Sequence, residues 1–192
     1  MPSRAEEVLD FWFGRAGDPG YGESREVWFR RDPEFDARVT DQFAGLYEEA
    51  AAGDLDDWRE EARSCLALVI VLDQFPRNMF RGEGRTHATD GAALEASRYA
   101  VEHALERELP AFQRMFLYMP FMHSEDREDQ RRSVELFGLL ADEPDGPDVT
   151  SYAAGHREIV ERFGRFPHRN EVLGRQTTSE EAVFLTTEGS SF

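Results

Sequence analysis

The eight residues Cys65-Leu66-Ala67-Leu68-Val69-Ile70-Val71-Leu72 carry no charged side chain, and the run stops at Asp73-Gln74-Phe75-Pro76. A segment apolar all round has no face to offer water, so other elements must wrap it. At this length periodicity alone fits a buried strand or a buried helix. The leading Ala62-Arg63-Ser64, and the lack of any neighbouring alternating segment, favour a helix at the centre of the fold, closed by Pro76. The expected core is Leu66, Leu68, Val69, Ile70 and Leu72, packed against Phe43, Leu94, Phe116, Leu136, Phe137, Ile159 and Phe163.

Helix boundary signals recur along the rest of the chain. Asp32-Pro33 reads as an N-cap followed by proline at the first helical position. Apolar residues then return at Phe35, Val39, Phe43, Leu46, Tyr47 and Ala50, until Gly53 ends the helix. Ser3 with Glu6 predicts a capping box opening a helix through Phe13, and Ser24 a cap for a short helix carrying Val27, Trp28 and Phe29. Further helices are expected from about Asp90 to Arg107, from Pro110 to a stop or kink at Pro120, from Ser124 to Ala141, and over 149–163. Thr178 with Glu181 predicts a second capping box and a last short helix through Leu185, before a tail frayed from about residue 187. Residues 79–89 and 142–148 are loops, and no segment reads as a β-hairpin or a linker. These signals predict an all-α fold, residues 1–192 forming a single domain of helix pairs packed antiparallel.

Composition removes several function classes. The formal charge of −17 repels phosphate backbones and anionic membrane surfaces, which argues against nucleic-acid and membrane partners. No apolar run approaches the ~20 residues needed to span a bilayer. All 22 cationic residues are Arg, so Schiff-base chemistry and a P-loop lysine are excluded. The single Cys65 reads as an inert core thiol and suits a reducing cytoplasm. Glycine-rich nucleotide loops, His-Glu-x-x-His, Gly-x-Ser-x-Gly and Glu-x-x-His are all absent. His123, Glu125, His156 and His168 match no standard ligand spacing, so neither a metal nor another cofactor is expected.

Polar chemistry concentrates in two similar turns. Phe75-Pro76-Arg77-Asn78 is followed by Gly82, and Phe166-Pro167-His168-Arg169-Asn170 by Gly174. Phe-Pro is expected to end the preceding helix in each copy. The second turn lies within Arg162–Arg175, where arginines outnumber the nearby carboxylates. Guanidinium forks match carboxylate and phosphate oxygens, so Arg77, Arg81, Arg165, Arg169 and Arg175 are candidate anion ligands, with Asn78 and Asn170 holding the loops. Asp73, ending so apolar a segment, needs a cationic partner, either as a structural ion pair or as part of a site. His123-Ser124-Glu125 reads as the place where one helix breaks and the next starts. His123 there is either an acid/base group oriented by Glu125 or a residue that satisfies free backbone groups. His156, near an apolar helix face, is a ligand candidate or a hydrogen-bonded core histidine, while His103 reads as a surface residue. The candidate catalytic groups are His123, Glu125 and His168.

Five stretches in order carry a family resemblance. They are Val8-Leu9-Asp10-Phe11-Trp12-Phe13-Gly14, Leu72-Asp73-Gln74-Phe75-Pro76-Arg77-Asn78, Tyr118-Met119-Pro120-Phe121-Met122-His123-Ser124-Glu125, Phe163-Gly164-Arg165-Phe166-Pro167-His168-Arg169-Asn170, and Leu173-Gly174-Arg175 with Glu180-Glu181. Over nearly its whole length the chain resembles the bacterial family called domain of unknown function 924. That resemblance implies a tetratricopeptide-like superhelix of helix pairs, and no established activity. Two functions remain in view. One is binding of a small carboxylate or phosphate ligand in the pocket of the two turns and the His123 segment. The other is a helical scaffold or peptide-binding module that holds an acidic peptide tail, with the polar motifs forming a structural network and no catalysis.

Overall fold

In the computed structural model, which describes residues 2–143 and 145–190, Asp32 turns the chain into a helix as its sequence position requires. Its carboxylate accepts the backbone N–H groups of Glu34 and Phe35 at 3.0 and 3.1 Å. The first four N–H groups of a helix have no internal partner, so this cap fixes where the helix starts. Nine α-helices follow one another among the described residues, with no strand: α1 (Arg4–Phe13), α2 (Pro33–Ala52), α3 (Ala62–Val69), α4 (Phe75–Met79), α5 (Asp90–Glu102), α6 (Ala111–His123), α7 (Arg127–Ala141), α8 (Thr150–Phe163) and α9 (Ser179–Phe184). The fold is all-helical, and no helix among the described residues is long and apolar enough to cross a membrane.

The apolar run is central, as its composition demands. Every residue from Cys65 to Leu72 is at least 98% buried, and α3 packs against α1, α5 and α6. Leu94 and Phe163 are only half-buried; the other expected core residues are buried. Burial also pushes the Cys65 thiol up to about 12, which makes it an inert core group. The helices α6, α7 and α8 pack in succession beside this centre. A smaller apolar cluster of Ile159, Val160 and Phe166, with Phe163 and Phe184 against it, lies under the C-terminal segment.

Pro76 does not close the central helix. The chain passes from α3 into a π turn over Ile70–Gln74 and then continues as α4 through Pro76. Proline lacks an N–H and crowds the carbonyl four residues back. The π turn widens the helix just before it, with the Phe75 N–H reaching back to Ile70 O. The carbonyl that Pro76 leaves without its helical donor, Leu72 O, accepts the Thr89 hydroxyl at 2.6 Å. Nor does Pro120 stop α6, which runs on to His123 with Met115 to Met122 all buried around it. A single lost backbone bond is too small a cost to break a helix that is packed on all sides.

Other boundaries also differ from the sequence reading. Ser3 caps α1 through the Glu6 N–H, but the Glu6 carboxylate forks Arg63 at 2.7 Å instead of closing the capping box. Ser24 caps nothing; Arg25 occupies that position before a 3₁₀ turn at Glu26–Trp28, and Phe29 is exposed. The fifth helix ends at Glu102, and Ala104 takes a left-handed φ of 57° before a 3₁₀ turn at Leu105–Glu108. Asp126, not Ser124, caps α7. Thr178 and Glu181 do form a full capping box. The tail is docked as far as Ser190, whose hydroxyl donates to Leu185 O at 3.3 Å, while Ser191 and Phe192 lie outside the described residues.

Two substitutions test this centre in urea unfolding. Ile70→Ala should cost about 2–5 kcal/mol, because a fully buried side chain leaves a cavity; a loss under about 1 kcal/mol would mark the segment as peripheral. Thr89→Val should cost about 1–3 kcal/mol by leaving the Leu72 carbonyl buried without a donor. An unchanged midpoint for Thr89→Val would show that this carbonyl needs no hydroxyl.

Candidate functional site

The π turn places Asp73 inside the protein, with no exposed surface. Its Oδ1 accepts Nδ1 of His123 at 2.8 Å and lies 3.3 Å from Nη1 of Arg77. Its Oδ2 accepts the Gln74 amide at 2.6 Å. Burial pushes the Asp73 carboxyl up, but Arg77 and His123 outweigh it and hold the group below its ordinary range. Asp73 therefore stays ionised, and His123 must present an N–H to it.

The two turns meet. A Cβ on Gly84, which follows the first, would come within 2.8 Å of the Val172 carbonyl in the second, so only glycine fits this approach. Arg77 and Arg169 converge on one carboxylate: Arg77 Nη1 bonds Asp90 Oδ1 at 2.9 Å, and Arg169 Nη1 bonds Asp90 Oδ2 at 3.3 Å. His87 Nδ1 stands 3.2 Å from the same Oδ2. Asp90 opens α5, where a negative charge is favoured by the helix dipole. Burial raises its carboxyl, and Arg77, His87 and Arg169 together override that and depress it strongly. Arg169 is 93% buried, its guanidinium 4.5 Å from the Phe166 ring, and burial pulls it down to about 10.

Histidines surround this cluster. His156 is a buried, hydrogen-bonded core histidine: its Nδ1 donates to the Tyr152 carbonyl at 2.8 Å, and its ring lies 6.4 Å from His123 and 5.5 Å from Phe166. Burial drives it down to about 3. His168, 5.7 Å from the Phe166 ring, is lowered to about 4 by burial and by Arg169. Among the described residues no group of three His, Cys, Asp or Glu is arranged to hold a metal ion.

The remaining candidates lie in three separate ion pairs. Arg81 forks Asp36 at 2.6 and 2.9 Å, and Asn78 donates to the same carboxylate at 2.7 Å. Arg165 forks Glu181 at 2.6 and 2.9 Å, with Asn170 at 3.3 Å. Arg175 forks Glu125 at 2.7 and 3.0 Å, and Glu125 also accepts the Phe166 N–H at 2.7 Å. Glu125 is thus no orienter of His123; Asp73 is. His123 does lie where one helix ends and the next begins, as the last residue of α6 three residues before the Asp126 cap of α7. Phe-Pro ends neither helix, because α8 has already stopped at Gly164, with φ 70°, before Phe166. The apparent excess of arginine over 157–178 is matched by carboxylates both near and distant: Arg157 pairs with Glu161, Arg162 with Glu180, Arg165 with Glu181, Arg169 with Asp90 and Arg175 with Glu125.

Asp90, His87, Gln74 and Thr89 escaped the sequence reading. Asp90 was visible only as a helix start. A demand that Arg169, with no free carboxylate nearby, find one elsewhere would have pointed to it. Two clefts, of about 570 and 230 Å³, lie elsewhere than at this cluster, the larger between Tyr21, Phe112 and Glu143.

Comparison with known proteins agrees with the fold. The profile of a family of bacterial proteins of unknown function, DUF924, matches residues 8–189, and the chain belongs to that family. The solved structure of ATU0120, a protein of unknown function from Agrobacterium tumefaciens, is similar to it. The two share 41% identity over 95% of this chain and 96% of that one, with a TM-score of 0.83. No curated protein matches the chain.

The depressed histidines make stability depend on pH. Folded His156 and His168 sit near 3 and 4, against an ordinary 6.5. Between those values the unfolded chain holds protons that the folded one does not, so their contribution is complete above 6.5 and is lost as pH falls. Asp73, Asp90 and Glu181, all depressed, add a second loss below the ordinary carboxylate range. The urea midpoint should already fall between pH 7 and 5, and His156→Gln should flatten that limb. A midpoint constant from pH 7 to 5 would contradict buried neutral histidines.

Proposed function

We propose that the cluster of Arg77, Arg169 and His123 binds a small carboxylate or phosphate ligand. One observation carries this reading. Arg77 Nη2 and Arg169 Nε are buried donors with no acceptor in the protein, although both guanidinium groups converge on Asp90. A buried N–H without an acceptor costs about 1–3 kcal/mol, and more on a charged group. An anion bridging the two arginines would satisfy both donors at once. Arg81, Arg165 and Arg175, each forked by its own carboxylate, hold the surrounding loops, as do Asn78 and Asn170. His123, with its Nδ1 fixed on Asp73, is the group placed for proton transfer to a bound ligand.

The setting fits this reading. The all-helical frame is taken as a superhelix of antiparallel pairs of tetratricopeptide type. A lone buried thiol and an acidic surface suit a cytoplasmic protein that avoids nucleic acid and anionic membranes. Isothermal titration with inorganic phosphate, sulfate and citrate tests the site. At least one anion should bind, and Arg169→Lys should weaken it about tenfold or more, because a point charge loses the guanidinium's planar fork. Absence of binding by all three at millimolar concentration, with Arg169→Lys lowering only the unfolding midpoint, would assign the cluster to a structural network.

A further inference from the structure

We propose that an anion held by Arg77 and Arg169 brings one proton with it, carried on Nε2 of His123; this rests on the anion-binding reading above. The geometry around His123 supports the coupling. From the end of α6 the ring faces Asp73 in the π turn, Arg77 in α4, Asp90 at the start of α5 and His156 in α8, with His168 and Arg169 beyond. Asp73 holds Nδ1 at 2.8 Å, so in the neutral ring Nδ1 carries the hydrogen and Nε2 offers a lone pair. Among the described residues the hydrogen bond of this ring runs through Nδ1.

Charge balance supplies the drive. Arg77 and Arg169 contribute two positive charges, and Asp73 and Asp90 two negative ones, so the cluster is neutral while its histidines are neutral. An added anion leaves it negative beside a fully buried Asp73 and a 93% buried Arg169. An uncompensated charge in such surroundings is costly, and the cheapest answer is a proton. The chain has no lysine, and Arg81, Arg165 and Arg175 are each tied to another carboxylate. His123 is better placed than His87 to take it. Its contact with Asp73 is 2.8 Å against 3.2 Å for His87 with Asp90, and the Asp90 oxygens already serve two guanidiniums. Protonated, His123 forms an ion pair with Asp73 through Nδ1 and gains an Nε2–H for the ligand.

In the free protein, burial and Arg77 hold His123 below its ordinary 6.5 although Asp73 pulls it up, so the proton arrives with the anion. The folded-state sign follows: a bound anion raises the histidine, protons are taken up on binding, and affinity increases as pH falls.

Sulfate is the probe, because its own charge does not change between pH 6 and 8. Calorimetric titration of the wild-type protein at pH 7, in buffers of different ionisation enthalpy, counts the protons directly. Uptake approaching one proton per sulfate is expected, with affinity rising by up to about tenfold per pH unit on acidification, the limit for one linked proton. His123→Gln should bind sulfate more weakly, with no uptake and no pH dependence, whereas His87→Gln should keep the uptake and the pH dependence. Ring NMR of wild-type His123 should show its titration moving to higher pH when sulfate is added, a readout that needs no variant to fold. Sulfate binding without proton uptake overturns the coupling and leaves the anion-binding reading standing. Uptake that survives His123→Gln moves the proton to another group and also overturns it. A failure of sulfate to bind overturns the coupling, and it removes the anion reading as well where phosphate and citrate also fail.

Discussion

A carboxylate with no exposed surface lies at the end of the most apolar segment of this chain, and much of the architecture serves to keep it charged. A lone carboxylate in that position would take up a proton to neutralise itself. Asp73 stays ionised because three donors reach it: Gln74 beside it, Arg77 one turn on, and His123 from the end of α6. Removing one member of such a buried pair typically costs about 3–5 kcal/mol. Arg77 is in reach only because the helix continues past Pro76. The π turn makes room for the proline, and the Thr89 hydroxyl takes the carbonyl that proline leaves without its donor. One buried charge thus ties together α3, α4, the start of α5 and the end of α6.

The two Phe-Pro turns share more than their residue order. In each, the phenylalanine is fully buried. In each, the asparagine donates to a carboxylate that an arginine forks: Asn78 with Arg81 on Asp36, and Asn170 with Arg165 on Glu181. In each, the remaining arginine reaches across to Asp90. Their backbones differ, since the first is a continuing helix and the second a 3₁₀ turn beyond a finished one. The shared feature is the disposition of side chains about a carboxylate, which survives a change in local conformation.

Much of this fold was legible in the sequence because helix starts and apolar spacing are local signals. Asp32-Pro33, Gly53 and the Thr178–Glu181 box each act within a few residues, and each lies where the sequence places it. The boundary expected at Pro76, and a stop at Pro120, are overridden where burial on all sides outweighs a local preference. The candidate site was legible only in part for a different reason. Asp73, Arg77, Arg169 and His123 were singled out by residue type, and they do meet. Their partners lie far along the chain: Asp90 is 79 residues from Arg169, and Glu125 is 50 from Arg175. Charge counted over a short window saw a surplus of arginine, which the fold removes by importing carboxylates from other helices.

That correction separates two uses of arginine in one small volume. Arg81, Arg165 and Arg175 each close both arms of a fork on one carboxylate, the geometry that fixes a loop most firmly. Arg77 and Arg169 do not. They approach Asp90 from its two oxygens, each through a single nitrogen, while another nitrogen of each stays buried and without an acceptor. A chain with 39 acidic residues has no shortage of carboxylates to complete these forks as it completes the other three. Arg175 also keeps a buried Nε without an acceptor, but its fork on Glu125 is closed; the open forks of Arg77 and Arg169, beside a histidine fixed on a buried carboxylate, set this cluster apart from the ion pairs that brace it.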